Sequence, residues 1–160
     1  MKKPATTSNV KSVPDGFHTI TPYLVVDGAD ELIAFIEKGL GGKQIFMMRT
    51  DDNKVSHATM KIGDSMIMIS DLTQNMMKPE IAMLYLYVDD PDAIYKSAIA
   101  AKAESVQPMK DQFYGDRSGA VKDRWGNTWW IAAQKEKVEG EELERRAKEV
   151  YRQRQGVPAE

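Results

Sequence analysis

An internal repeat constrains the fold of this chain more than any other feature of its sequence. The stretch PYLVVDGAD at 22–30 aligns with LYLYVDDPD at 84–92, an offset of 62 residues. The same offset carries Met68 onto Trp130, near the far end of each copy. One offset that persists from the first strand-like segment to the last indicates two copies of a single structural unit.

Each copy has the pattern of one strand, one helix and three further strands. In the first copy, the β-branched run at 18–26 predicts a strand, and apolar residues recur at helical spacing over 30–40. Three more strands are predicted at 43–50, 55–62 and 66–70, separated by turns rich in Asp, Asn and Gly. The unit is therefore predicted to be βαβββ.

The predicted fold class is α+β, with tandem βαβββ modules at 17–71 and 82–134. A chain of 160 residues is long enough for one such curved-sheet domain, spanning 17–134, with its own core. The polar residues 1–16 predict a flexible N-terminal arm. A highly charged helix with a narrow apolar stripe is predicted within 137–155, and we expect this stripe to dock on the sheet or on a second subunit.

Charge and composition exclude several classes of function. The 22 basic and 24 acidic residues leave a net charge of −2, which does not favour nucleic acid or an anionic membrane as a partner. The absence of cysteine excludes disulfides and thiolate catalysis, and two histidines, His18 and His57, cannot form a three-histidine metal site. With no membrane-spanning run and no secretory signal pattern, we expect a cytoplasmic protein.

Alternation along the strands predicts two sheet faces of different chemistry. One face is aliphatic and is expected to pack under the two helices; it comprises Leu24, Val26, Ile67, Ile69, Leu84, Leu86, Val88 and Ile131. The other face carries thioether, aromatic and hydrogen-bonding groups; it comprises Thr21, Tyr23, His57, Thr59, Met66, Met68, Met83, Tyr85, Tyr87 and Trp130. The second face is typical of a small-molecule pocket, and a second core layer or a dimer face is the alternative.

Two positions on the second face have a specific prediction. An imidazole at His57 could act as a general base or bind a polar group of a ligand, or it could be a strand histidine satisfied by a neighbouring group. Trp130 is predicted to point into the pocket, because Ile131 and Trp129 then share the aliphatic side.

The segment 111–117 combines a carboxylate, an amide, two aromatic rings and a guanidinium in seven residues. Tyr114 is a candidate wall of the pocket or of a dimer contact. Arg117 could bind an anionic group, or it could pair with Asp116 or Asp111 and hold the loop in place.

Four stretches carry a resemblance to a known family: FHTITPYLVVDGA at 17–29, SHATMKIGDSMIMISD at 56–71, LYLYVDDPDA at 84–93 and DQFYGDRSGAVKDRWGNTWWIA at 111–132. In this order they resemble the vicinal oxygen chelate superfamily, which contains glyoxalase, bleomycin-resistance, fosfomycin-resistance and extradiol dioxygenase proteins. The PhnB-like branch is the most similar. The resemblance implies two modules whose curved mixed sheets enclose a cavity, usually within a homodimer.

The superfamily places up to four metal ligands on the first and last strand of each module. The corresponding positions here are Thr21, Met68, Met83 and Trp130. None is His, Asp or Glu, and a thioether or indole offers no comparable ligand to the usual divalent cation. We therefore predict no metal and no cofactor, with the Trp130 and Met68 side chains occupying the space of a metal centre.

The predicted function is metal-independent binding of a small molecule by a homodimer, with no nucleic-acid or membrane partner. The predicted pocket residues are His57, Thr59, Met68, Met83, Tyr85, Tyr114, Arg117 and Trp130. One alternative is a metal-dependent lyase or dioxygenase with non-standard ligands, such as His57 together with Asp or Glu of a partner chain. Another is an interaction module without catalytic activity.

Overall fold

The computed structural model describes residues 11–72, 79 and 81–154, and these form two βαβββ modules followed by a third helix. The elements are β1 (Tyr23–Val26), α1 (Ala29–Leu40), β2 (Lys43–Arg49), β3 (Val55–Ile62), β4 (Ser65–Asp71), β5 (Met83–Tyr87), α2 (Pro91–Ala100), β6 (Glu104–Asp111), β7 (Asp116–Lys122), β8 (Thr128–Gln134) and α3 (Gly140–Arg154). The predicted tandem α+β architecture is confirmed.

The strands are divided between two four-stranded sheets, one for each module. The strand orders are β1-β4-β3-β2 and β5-β8-β7-β6, with the first and last strands of each module parallel and the other pairs antiparallel. Tyr23 lies beside Met68 in the first sheet, and Tyr85 lies beside Trp130 in the second. Residues that are 62 positions apart in the sequence therefore have the same pairing between the first and last strands of their modules.

The first strand is shorter than the predicted 18–26. It begins at Tyr23 because Pro22 has no backbone N–H to continue the ladder. The Pro22 carbonyl still accepts a hydrogen bond of 2.9 Å from the Met68 N–H. His18 lies before the strand and is exposed.

Helices α1 and α2 pack against each other and bring both modules into one hydrophobic core. Phe35 of α1 and Trp129 of β8 lie within this core, with ring centroids 6.4 Å apart. The predicted aliphatic face lies against it: Leu24, Val26, Ile67, Ile69 and Ile131 are buried, and Leu84, Leu86 and Val88 pack at its edge. Strand alternation therefore predicted the core face correctly.

Helix α3 lies beside the turn between β6 and β7. The Tyr151 ring meets the Phe113 ring edge-on at 6.2 Å, and the Arg146 guanidinium pairs with Glu136 at 2.8 Å. No residue of α3 is fully buried. Residues 1–10 of the predicted arm and residue 155 lie outside the described residues. None of the described helices is both long and apolar enough to cross a membrane.

Candidate functional site

Each sheet turns one face towards the helices and the other away from them, and we call the second its open face. The first open face comprises Tyr23, Phe46, His57, Thr59 and Met68, which lie on neighbouring strands at matching register positions. Tyr23 and Phe46 are 42% and 48% exposed, so their rings are largely unburied in a single chain. Strand register therefore assembles an aromatic surface from four strands.

His57 lies near the middle of the first open face, and both of its ring nitrogens have neighbours. Its Nδ1 is 3.3 Å from the Tyr23 hydroxyl, and its Nε2 is 3.3 Å from Thr59 Oγ1. A neutral imidazole donates through one nitrogen and accepts through the other, so both contacts can be hydrogen bonds at once. The Phe46 ring lies on another side, with its centroid 6.2 Å from that of His57. His57 is thus held in place by hydroxyl groups and remains partly exposed.

The second open face is built around a stacked pair of aromatic rings. Tyr85 and Trp130 lie side by side on β5 and β8, with an interplanar angle of 7° and centroids 5.9 Å apart. Tyr87, two residues along β5, places its ring 5.2 Å from that of Tyr85. The Trp129 side chain points to the other face and is fully buried, as predicted.

A buried carboxylate, Asp116, lies beside these rings at the start of β7. The Tyr87 hydroxyl donates to Asp116 Oδ2 at 3.0 Å, and the Tyr85 hydroxyl makes a longer contact of 3.4 Å with the same oxygen. The Tyr114 hydroxyl is 3.4 Å from that of Tyr85. Three phenols and one carboxylate thus form a connected cluster on the second open face.

Burial raises the pKa of the Tyr85 phenol well above its usual range, and the neighbouring Tyr114 and Asp116 raise it further. The pKa of Tyr87 is raised by burial and by its hydrogen bond to Asp116. A nearby negative charge disfavours a phenolate. Both hydroxyls therefore remain protonated at neutral pH and act as hydrogen-bond donors.

Arg117 does not join this cluster, although it was predicted to line the pocket. Its guanidinium binds both carboxylate oxygens of Asp92 on α2, with N–O distances of 2.6 Å, and also contacts Asp111 at 3.2 Å. Adjacent strand residues point to opposite faces, and Asp116 takes the position on the open face. Arg117 therefore joins β7 to helix α2, which is closer to the structural alternative considered for it.

The predicted pocket residues are divided between the two sheets. His57, Thr59 and Met68 lie on the first open face. Met83, Tyr85, Tyr114 and Trp130 belong to the second module, where Met83 is 74% exposed at the start of β5. Met68 and Trp130 therefore occupy equivalent positions in different sheets.

Sequence reasoning did not include Asp116 among the pocket residues. The sequence pattern predicts this carboxylate only as a possible partner for Arg117. Strand alternation could have placed Asp116 on the open face, because Asp116 and Ser118 must point away from the face that Arg117 occupies. Ser118 is fully buried on that face and accepts a hydrogen bond of 3.0 Å from the Gln112 amide.

The positions that correspond to metal ligands do not fit a divalent cation. They offer one hydroxyl, two thioethers and an indole, whereas such cations bind carboxylate, imidazole or carbonyl groups. Across residues 11–72, 79 and 81–154, no group of three His, Asp or Glu side chains is placed to hold a metal ion.

A cavity of about 360 Å³ lies on the helix side of the molecule, opposite the open faces, between the side of α1, the C-terminal end of α2 and the turn after β7. The Trp125 ring at this cavity already interacts with other groups of the protein. Its Nε1 donates to the Asp27 carbonyl at 2.7 Å, and the Arg124 guanidinium lies 4.7 Å above the ring. None of the predicted pocket residues lines this cavity. The open faces, with their connected polar groups and accessible rings, are therefore the better candidate site.

Comparison with known proteins identifies similar sequences and folds. The sequence model described as Glyoxalase/Bleomycin resistance protein/Dioxygenase superfamily matches residues 16–131. An uncharacterised protein of Mycobacterium tuberculosis H37Rv is 28% identical over 135 residues, covering 78% of this chain and 79% of that protein.

Solved structures show the same fold at lower sequence identity. TioX from Micromonospora sp. ML1 is 18% identical with a TM-score of 0.59, covering 72% of this chain and 98% of that one. The PhnB protein from Bacillus cereus is 16% identical with a TM-score of 0.53, covering 72% of this chain and 99% of that one. At these identities the likeness concerns the fold alone.

Proposed function

Because the chain belongs to the glyoxalase/bleomycin resistance protein/dioxygenase superfamily, we propose that it binds a small organic molecule on its open faces without the help of a metal ion. Within the superfamily we propose a place in the PhnB-like branch. The observation that carries the function is the Tyr85–Trp130 stack beside the buried Asp116. It combines accessible apolar area with fixed polar groups, the combination found in ligand sites.

The two kinds of group have different roles in this proposal. The rings of Trp130 and Tyr85 offer flat apolar area on which a planar or apolar part of a ligand stacks. The hydroxyls of Tyr114 and Tyr23 and the His57 ring offer hydrogen bonds that orient it. None of these interactions requires a bond to be broken, so the arrangement supports binding rather than a particular reaction.

We further propose that the protein is a homodimer. Large apolar side chains other than the proposed ligand groups are also exposed on strands of both sheets; they include Ile45, Phe46, Met48, Met83 and Val106. Exposed apolar surface of this kind on a soluble protein favours an interaction site, and a second copy of the chain would cover part of it. Light scattering at micromolar concentration should give about twice the chain mass of 18.0 kDa. A mass of one chain would overturn the dimer.

A matched pair of tryptophan variants tests the binding site. We expect Trp130→Leu to weaken the binding of a neutral planar probe, benzamide, at least about fivefold, because the stacking surface is lost. Trp125→Leu removes an indole on the helix side and should leave binding unchanged. Ligand-detected NMR measures both. Equal loss in the two variants, or no benzamide binding to the unaltered protein, contradicts the proposed site.

Metal content separates this proposal from a lyase or dioxygenase that uses His57 as a ligand. Protein purified without chelator should bind benzamide equally well before and after treatment with a chelator. Stoichiometric zinc, nickel, manganese or iron that is needed for binding would contradict the proposal and favour the enzyme.

A further inference from the structure

Asp116 is a buried charge without a cationic partner among the described residues. Asp116 is only 4% exposed. The hydrogen bonds to its carboxylate come from neutral phenols. Arg117, the adjacent cation in the sequence, is turned to the other face and bound to Asp92. A buried carboxylate gains stability when a positive charge approaches it, because the low-dielectric surroundings screen the attraction weakly.

The phenols give the surface around this charge a definite polarity. The Tyr87 hydroxyl directs its proton towards Asp116, so it presents oxygen lone pairs to the other side. The ring faces of Tyr85, Tyr87 and Trp130 carry the negative side of the aromatic quadrupole. With Tyr85 and Tyr87 44% and 66% exposed, a ligand can reach these rings.

We infer that the second open face selects ligands that carry a cationic nitrogen group, such as a substituted ammonium, placed against the rings of Tyr85 and Tyr87 beside Asp116. The inference rests on the proposed function and names its ligand class. Aromatic rings around an ammonium group attract it through their faces, and a nearby carboxylate adds direct charge attraction. Neutral ligands of the same shape gain neither interaction.

Lys110 is a nearby cation of the protein itself. The β6–β7 register places it beside Ser118, two residues along β7 from Asp116, and its side chain is exposed. Its ammonium makes no ion pair with Asp116 in the part of the chain that the structure describes. Since Lys110 raises the local positive charge, removing it should strengthen the binding of an organic cation. This expected gain in affinity is opposite to the loss expected when Asp116 or Tyr87 is replaced.

Three probes distinguish the charge preference from binding in general. Choline carries a quaternary ammonium, 3,3-dimethyl-1-butanol has the same shape without the charge, and benzamide is neutral and planar. Ligand-detected NMR at constant ionic strength measures their affinities. We expect choline to bind roughly tenfold more tightly than its neutral isostere, and Lys110→Gln to increase that ratio.

Two aspartate variants provide the matched comparison. Asp116→Asn keeps a hydrogen-bond acceptor for the phenols and removes the charge, and it should lower the choline preference at least about threefold, leaving the smaller part that the ring faces supply. Asp111→Asn removes the same charge from the neighbouring strand, where the carboxylate contacts Arg117 instead, and should leave the preference unchanged. If Asp116→Asn does not fold, Tyr87→Leu replaces it, because a ring that is 66% exposed contributes little to the core.

The results of these measurements separate the preference for cationic ligands from the proposed binding function. A choline preference that depends on Asp116 or Tyr87 but not on Asp111 supports the inference. Benzamide binding with equal affinity for choline and its isostere overturns the cationic ligand class and leaves the proposed binding function intact. Failure of all three probes to bind contradicts both.

Discussion

Asp123 is a buried carboxylate that closes the turn between β7 and β8. It accepts hydrogen bonds of 2.9–3.0 Å from the backbone N–H groups of Trp125 and Asn127, the Asn127 amide and the Trp129 indole. The indole contact links the turn to the core, since Trp129 is fully buried. One side chain therefore positions both the turn and the tryptophan that precedes Trp130.

At this residue scale we predict that Asp123→Ala lowers the free energy of unfolding by about 3 kcal/mol, because several buried donors lose their acceptor together. Urea unfolding followed by tryptophan fluorescence measures the change. Asp64 occupies the corresponding turn of the first module but is exposed, so Asp64→Ala is the control and should change stability by less than about 0.5 kcal/mol. Similar effects of the two substitutions would show that the hydrogen bonds of Asp123 contribute little.

Helix α2 is held to the second sheet by charge as well as by apolar packing. Pro91 begins the helix, and the Asp90 carboxylate caps it by accepting a hydrogen bond of 3.0 Å from the Ala93 N–H. Two residues after this cap, Asp92 binds Arg117 of β7 through both oxygens. In the first module Asp30, its equivalent at the 62-residue offset, binds Arg49 in the same two-oxygen manner.

At the scale of this element we predict a pH-dependent contribution from Asp92. The Arg117 guanidinium lowers the pKa of Asp92 below its ordinary value of 3.8, so the folded state binds a proton less readily than the unfolded state. The pair therefore stabilises the fold above about pH 4, and its contribution is lost as the pH falls through the lowered folded pKa.

Comparing the unaltered protein with Asp92→Asn checks this prediction. At pH 7 the substitution should lower stability by less than Asp123→Ala does, because the partly exposed pair is screened by solvent. The difference should shrink as the pH falls below about 4 and through the lowered folded pKa of Asp92. A constant difference from pH 7 to pH 2.5 in urea unfolding would contradict an electrostatic origin.

The two modules meet where helix α1 passes closely over helix α2. A Cβ added at Gly39 would lie 3.2 Å from the Ala98 Cα and 3.2 Å from the Ala101 Cβ, which is closer than ordinary packing. The absence of a side chain at Gly39 thus allows the helix backbones to approach each other. This contact, with the Phe35–Trp129 pair, joins the two modules into one core.

Because this contact joins the modules, we predict that Gly39→Val destabilises the protein by about 2 kcal/mol through overpacking between them. Glu37→Val introduces the same side chain on the exposed side of α1 and should cost less than about 1 kcal/mol. Thermal unfolding by circular dichroism measures both variants. If the two variants have equal midpoints, the α1–α2 contact is not tightly packed.

Local sequence patterns were enough to predict the two modules and the direction in which most strand side chains point. The repeat predicted two βαβββ units, and alternation placed Trp129 in the core and Trp130 on the open face. Both inferences use local regularities: a duplicated sequence adopts the same local structure twice, and side chains along a strand alternate between faces.

The pairing of side chains that are far apart in the sequence became evident from the folded arrangement. The His57 imidazole finds the Tyr23 hydroxyl 34 residues away, and Arg117 pairs with Asp92 on a helix 25 residues away. The fold also left Asp116 among phenols rather than beside a cation. Such contacts depend on the packing of distant elements, which local periodicity does not contain. Alternation could place Asp116 on the open face, but it could not show that the Tyr85 and Tyr87 hydroxyls would meet it there.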